Sequence, residues 1–188
     1  MIGPVEPACT EHPRELEQGG PDPGSMGAVG RAGVEAWSFR NATSMFATGV
    51  AVATCEDVDG QFHGITVNSF ALLGMAPPTV LIAMRAGRVH RIVSRKGKYG
   101  LCILMRQQAA IFAHFGGRPQ QSLHVDFIVR DSLPTLRKCL AWFECSVVQQ
   151  VQVHDQTLFI AQVTSCGSER GEPLVLYDGG FLVPGGES

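Results

Sequence analysis

The sequence predicts a mainly β protein, a barrel-like sheet decorated by a few short peripheral helices. Strand-length segments that are wholly apolar or alternate with period two recur from residue 50 onward, and tight-turn signals separate most of them. The helical stretches between them are few and short, so most connections leave no room for the crossover helices of a doubly wound parallel sheet. Curling such a sheet into a barrel removes its exposed edges. About seven or eight strands and two or three helices are expected.

Residues 1–35 are rich in Pro, Gly and Glu and keep neither period, which predicts a flexible tail ahead of one domain over residues 36–188. Met26 is a second candidate start within that tail. In WSFRNATSMFA a stripe of Trp37, Phe39 or Arg40, Ala42 or Thr43, and Phe46 has helical spacing, giving a short amphipathic helix ended by Gly49. VAVAT (50–54) is a strand bounded by EDVDG, where Asp59-Gly60 signals a hairpin. GITVNSFALLGM returns as a strand that bends into another and is stopped by Pro77-Pro78. TVLIAM (79–84) reads as a fully apolar, hence buried, strand.

From Val89 to Arg95, apolar Val89, Ile92 and Val93 alternate with Arg88, Arg91 and Arg95, a short helix with a basic outer face. YGLCILM (99–105) is another buried strand, and QQAAIFAHF (107–115) a helix ended by Gly116-Gly117. Over 143–153 the odd positions Phe143, Cys145, Val147, Val151 and Val153 are apolar, a clear alternating strand. TLFIAQVTS returns antiparallel after a turn at His154-Asp155-Gln156. PLVLY, a Gly179-Gly180 turn and FLV close the chain.

Composition narrows the function. A chain of 188 residues with 45% hydrophobic residues has the core of one ordinary domain. A net charge of −2 gives no global attraction to nucleic acid or anionic membranes, and no apolar run approaches a bilayer span. The N-terminus lacks a secretory pattern, so a cytoplasmic location is expected. The six cysteines form no CxxC and the six histidines show no ligand spacing, so neither structural zinc nor metal catalysis is expected, and the thiols read as small buried side chains. Phosphate-loop, GxGxxG and GxSxG motifs are absent.

The informative stretch is FRNATSMFATGVAVAT followed by HGITVNSFALLGMAPPTVLIAM. Thr66, Asn68 and Ser69 offer hydrogen-bonding groups where a strand breaks into a bend, and Gly49 and Gly64 would permit the close approach of a flat ring. The basic run Arg85, Arg88, Arg91, Arg95, Lys96 and Lys98 holds six of the fifteen Lys and Arg. Together with AHFGG (113–117), LAWFECSVV, DQTLFIAQV and PLVLYDGGF, these motifs resemble the flavin reductase-like family of FMN-binding split barrels over residues 38 to about 183. The resemblance implies a Greek-key split β-barrel. It also implies an NAD(P)H:flavin oxidoreductase that passes hydride from NADH or NADPH to FMN or FAD and supplies a partner monooxygenase.

It further implies a homodimer. The flavin would lie against Thr48 and Gly49, against the bend Thr66, Val67, Asn68, Ser69 and Phe70, and against Phe115 and Gly116. Arg85 and Arg88 would meet its phosphate, and His154, Asp155 and Gln156 would face the nicotinamide. Two loops depart from the family pattern. Its Ser-x-Thr, whose hydroxyls hold the phosphate, is here Gly87-Arg88-Val89, and its Gly-Asp-His is here His154-Asp155-Gln156. The departures leave an alternative open, a split barrel without reductase activity acting on another small hydrophobic substrate, such as a cyclase or tailoring enzyme. A non-enzymatic binding protein of the same fold ranks last.

Overall fold

The computed structural model describes residues 34–182. The tail expected over residues 1–35 lies outside the described residues up to residue 33, and so does Val183. Helix α1 (Ala36–Ser44) leads through the two-residue β1 (Thr48–Gly49) into β2 (Ala51–Glu56), β3 (Phe62–Val67), β4 (Ala71–Met75) and β5 (Pro78–Arg85). Helix α2 (Arg88–Lys96), β6 (Lys98–Ile103), a 3-10 turn at Arg106–Gln108 and α3 (Ala109–Phe115) follow. The hairpin of β7 (Phe127–Arg130) and β8 (Leu133–Leu136) precedes the long pair β9 (Ala141–Val153) and β10 (Gln156–Ser168). β11 (Val175–Tyr177) and β12 (Gly180–Leu182) end the described chain.

Seven strands form one antiparallel sheet in the order β3-β2-β6-β9-β10-β5-β4, with β1-β11-β12 and β7-β8 as smaller sheets. The two end strands of the large ladder are consecutive in the chain, so the sheet curls until β3 stands beside β5 without pairing to it. This is the split barrel that the family resemblance implies. Its interior holds Ala51, Ala53, Ile82, Met84, Leu101, Phe159 and Ala161, and the apolar face of α2 (Val89, Ile92, Val93) packs onto it. A second apolar layer lies outside the barrel, where Val50, Val52, Cys102 and Leu104 are covered by α3, Leu136 and Leu174. β2 and β6 are therefore buried on both faces, which explains their near-continuous apolar runs.

Several expectations are corrected. The described residues hold twelve strands, because the hairpin at 127–136 and the short β1 lack a strong period of their own. α1 stops at Ser44 rather than Gly49, where the Thr43 and Ser44 hydroxyls donate back to carbonyls of the preceding turn. Its apolar stripe has no buried residue. β4 ends at Met75, and its turn is Ala76–Pro77, joined by a cis peptide, so Pro78 opens β5 rather than stopping a strand. TVLIAM is buried on one face only, with Val80, Ile82 and Met84 inside and Leu81 and Ala83 half-buried.

The alternation over 143–153 fails at Val148. Ala161 pairs with Val147 and Ile160 with Gln149, so Val148 is an extra residue and the side-chain phase flips beyond it. Gln150 then reaches α2, donating to the Ser94 carbonyl at 3.3 Å. Gln156 belongs to β10, leaving His154-Asp155 as the two-residue turn, and the last hairpin turns at Asp178-Gly179 rather than Gly179-Gly180. Among the described cysteines, Cys55, Cys102, Cys139 and Cys145 are buried and unpaired, whereas Cys166 is exposed. Burial pushes the Cys55 thiol up to about 11 and the Cys145 thiol up to about 12, so both stay protonated at neutral pH.

Gly100 marks the tightest crossing in the fold. The Thr54 hydroxyl donates to the Pro134 carbonyl directly above it, and a Cβ at Gly100 would collide with both groups. Gly100→Ala should therefore cost about 2 kcal/mol. Urea unfolding checks this, since Gly100 needs no left-handed backbone and only crowding is at issue.

Candidate functional site

The split between β3 and β5 is bridged by one side chain. Ser69 Oγ accepts a hydrogen bond from Ala83 N at 2.8 Å and donates to Ala83 O at 3.2 Å. Ala83 lies two residues beyond Leu81, which is where β4 begins its pairing with β5, so the Ser69 hydroxyl serves a backbone edge that β4 does not reach. Beside this bridge opens a cleft of about 600 Å³. Its floor is Ile65, Thr66 and Val67 of β3 with the bend Asn68-Ser69. One wall is Ala83, Met84 and Arg85 at the end of β5, together with Gln156, and the other is Phe115, Gly116 and Gly117 at the end of α3.

Strand pairing explains how residues far apart in sequence meet here. Arg85 and Gln156 are direct cross-strand partners in the β5–β10 ladder. The Thr66 hydroxyl donates to the Phe112 carbonyl at 2.9 Å and ties α3 to β3. Phe115 lies over Gly64, where a Cβ would come within 2.9 Å of its ring. Gly64 therefore makes room for the protein's own phenylalanine, not for a ligand. Gly49, in contrast, has no atom within 4 Å of where a Cβ would sit.

The cleft brings together Thr66, Val67, Asn68, Ser69, Arg85, Phe115, Gly116 and Gln156 of the residues singled out from the sequence. Thr48, Gly49 and Phe70 instead line an adjoining apolar groove with Phe46 and Ile103, and Asn68 reaches both spaces. Asp155 is turned to Arg85, with its carboxylate 3.0 Å from Nε in an exposed ion pair. His154 is exposed at the tip of the β9–β10 turn. Arg88 lies in a separate cleft with Arg91 and Arg95. Ile65, Ala83, Met84 and Gly117 also line the main cleft and carried no signal of their own, since Ala83 and Met84 sit inside an apolar run.

The site is thus an apolar slot with polar ends. Ile65, Val67, Met84 and Phe115 can flank a flat ring, Asn68 and Gln156 present carboxamides, and Arg85 supplies a cation. The Ser69 and Thr66 hydroxyl protons are already given to backbone carbonyls, so any further donation at the bend must come from the Asn68 side chain or the main chain. No side chain caps α2 at Gly87.

Comparison with known proteins shows the family and the fold. The model of the flavin reductase like domain matches residues 43–183. The NADH-dependent flavin reductase StyB of Pseudomonas fluorescens is 40% identical over 148 residues, covering 77% of this chain and 87% of that protein. An NADH-dependent flavin reductase of Rhodococcus sp is 34% identical over 147 residues, covering 76% and 83%. The solved structure of the styrene monooxygenase flavin reductase from Pseudomonas putida S12 superposes with a TM-score of 0.73 at 40% identity, over 77% of this chain and 95% of that one.

Two predictions concern the turns around these clefts. Asp57 caps the β2–β3 turn, accepting from His63 Nε2 at 2.7 Å and from the Gln61 and Asp59 amides at 2.9 Å each. The His63 hydrogen bond first, then the amides, holds its carboxyl below the ordinary value of 3.8. A depressed value stabilises the turn above that pH and loses the stabilisation as pH falls through the folded value. The Asp59 and Gln61 amide resonances should therefore move on acidification below about pH 4, and Asp57→Asn should abolish that transition. His154 has a left-handed backbone with φ of 52°. His154→Gly should raise the unfolding free energy by about 1 kcal/mol, measured by denaturant titration.

Proposed function

Because the chain belongs to the flavin reductase like family, we propose that it is an NADH-dependent flavin reductase whose reduced flavin supplies a partner monooxygenase. The reading rests on one observation above the others, namely that β5–β10 pairing sets Arg85 and Gln156 side by side at one end of an apolar slot. A flavin held in this slot would supply the redox chemistry, as acceptor for a hydride from the nicotinamide. The chain's own residues align and shield. Phe115, Ile65 and Val67 exclude water from the slot, Asn68 offers its carboxamide to the edge of the ring, and Arg85 attracts phosphate.

Gln156 replaces the family's histidine and offers a neutral carboxamide to the nicotinamide amide. Asp155 acts through Arg85, which it holds in place, and His154 only shapes the turn. Arg88 lies outside this slot, so the phosphate is met by Arg85. Loss of the Ser-x-Thr hydroxyls fits a flavin that binds and leaves as a substrate, which handing it to a separate oxygenase requires. The cytoplasm is the compartment that fits unpaired, buried thiols.

We also infer a homodimer. All the large apolar residues of α1 are exposed, with Trp37 at 65% and Phe39 at 62%, and Phe46 just beyond it is 76% exposed. Such residues on one helix and the loop after it mark a contact surface. The end of α1 is joined to the β11–β12 turn through Asp178 N donating to the Ser44 carbonyl at 2.9 Å, and Phe181 and Leu182 are exposed there as well. Phe46 also lines the groove that adjoins the flavin slot at Asn68, so a second copy covering α1 would complete the wall of the site.

NADH should bleach FMN or FAD near 450 nm in the presence of the protein, and absence of turnover with both flavins would refute the function. Gln156→Ala should raise KM for NADH about tenfold, the worth of roughly one hydrogen bond, without altering thermal stability. Phe46→Glu should convert the dimer to monomer by light scattering and raise KM for flavin. A wild-type monomer would refute the dimer alone.

A further inference from the structure

Helix α2 meets the barrel through a polar side chain as well as through its apolar face. His90, half-buried on α2, stands edge-on to the Phe159 ring at 5.4 Å, and its Nε2 lies 2.8 Å from the Thr157 hydroxyl. Thr157 Oγ1 donates to Gln152 Oε1 at 2.7 Å, and Gln152 Nε2 donates to the His154 carbonyl at 2.7 Å. Thr157 and Gln152 are direct cross-strand partners in the β9–β10 hairpin. The series therefore runs from inside the barrel to the carbonyl of the residue that opens the turn.

Donor and acceptor roles fix its direction. The Gln152 amide nitrogen is given to His154, so its oxygen faces Thr157 and only accepts. The single hydroxyl proton of Thr157 is thus committed to Gln152, and the hydroxyl oxygen must accept from His90. His90 therefore carries its proton on Nε2. Nδ1 is buried and meets no hydrogen-bond partner among the described residues, so a second proton there would have no acceptor. Each group in the series has one role, and loss of the first donor leaves the Thr157 oxygen short of a partner.

The series backs onto the slot. Thr157 is buried on the inner face of β10, while Gln156, the residue before it, lines the slot. His154 has φ of 52°, and Asp155 after it pairs with Arg85. His90 itself does not line the slot. We propose that His90 is a positioning residue for the nicotinamide, holding through Thr157 and Gln152 the turn that aims Gln156 into the slot. The inference rests on the reductase reading.

The test uses the full chain. His90→Leu keeps an apolar contact for Phe159 and removes the donor, whereas His90→Gln puts an amide Nε2 close to the place of the imidazole Nε2. Thr157→Val breaks the series from the other side. Circular dichroism checks folding first, and Thr157→Val stands in if His90→Leu does not fold. His90→Leu should raise KM for NADH about fivefold, with kcat and KM for flavin within twofold of wild type, and His90→Gln should restore KM. Thr157→Val should match His90→Leu, and the double variant should go no further than either. An unchanged KM in His90→Leu, a His90→Gln as impaired as His90→Leu, or additive effects in the double variant would overturn the proposal. Amide exchange at residues 154–156 needs no turnover. It should quicken about fivefold in His90→Leu and not in His90→Gln, and equal exchange in both variants and the wild type would also overturn the proposal. An inactive wild type would refute the reductase reading, while exchange still decides whether His90 holds the turn.

Discussion

A β-barrel closes by hydrogen-bonding its first strand to its last, and this one does not. β3 and β4, the two ends of the seven-stranded ladder, are joined by the bend at Asn68–Phe70, which leaves β3 facing the far end of β5 across a gap. Open strand edges are costly when they are also dry. The Ser69 hydroxyl meets the constraint by bonding both backbone groups of Ala83. A gap held at fixed width by one side chain, instead of being zipped shut by a ladder, is what a bound ring requires. Fold and site therefore depend on the same bend.

The remaining parts of the slot are placed by that arrangement. Thr66 fixes the end of α3 through Phe112, and Gly64 admits Phe115 as its wall. The β5–β10 ladder aligns Arg85 with Gln156 without any loop having to fold over the site. Gly87-Arg88-Val89, one of the two departures from the family pattern, lies outside the residues that line the slot. Family membership and overall fold agree.

Much of this was legible in the sequence, because two-sided burial of β2 and β6 leaves plain apolar runs and NSF at a strand break reads as a bend. Other parts were not. The phase of β9 flips at Val148, and nothing in VVQQV announces a bulge, since either valine could be the extra residue. The β7–β8 hairpin is held by buried polar contacts, such as Thr54 to the Pro134 carbonyl and Glu144 to the Ser132 and Leu133 amides, which no apolar period encodes. Gly64 read as space for a ligand because the sequence does not show that Phe115 fills it. Separation of Arg88 from Arg85 into different clefts depends on where α2 starts, a boundary that a local pattern places only within a few residues.

Hydrogen exchange in the presence and absence of saturating FAD tests the central claim most directly, because it reports position without relying on turnover. The account predicts added protection at three separated segments, Ile65–Ser69, Ala83–Arg85 and Phe115–Gly117, with Gln156 joining them. Protection confined to other segments, or no protection at a flavin concentration that supports turnover, would contradict it.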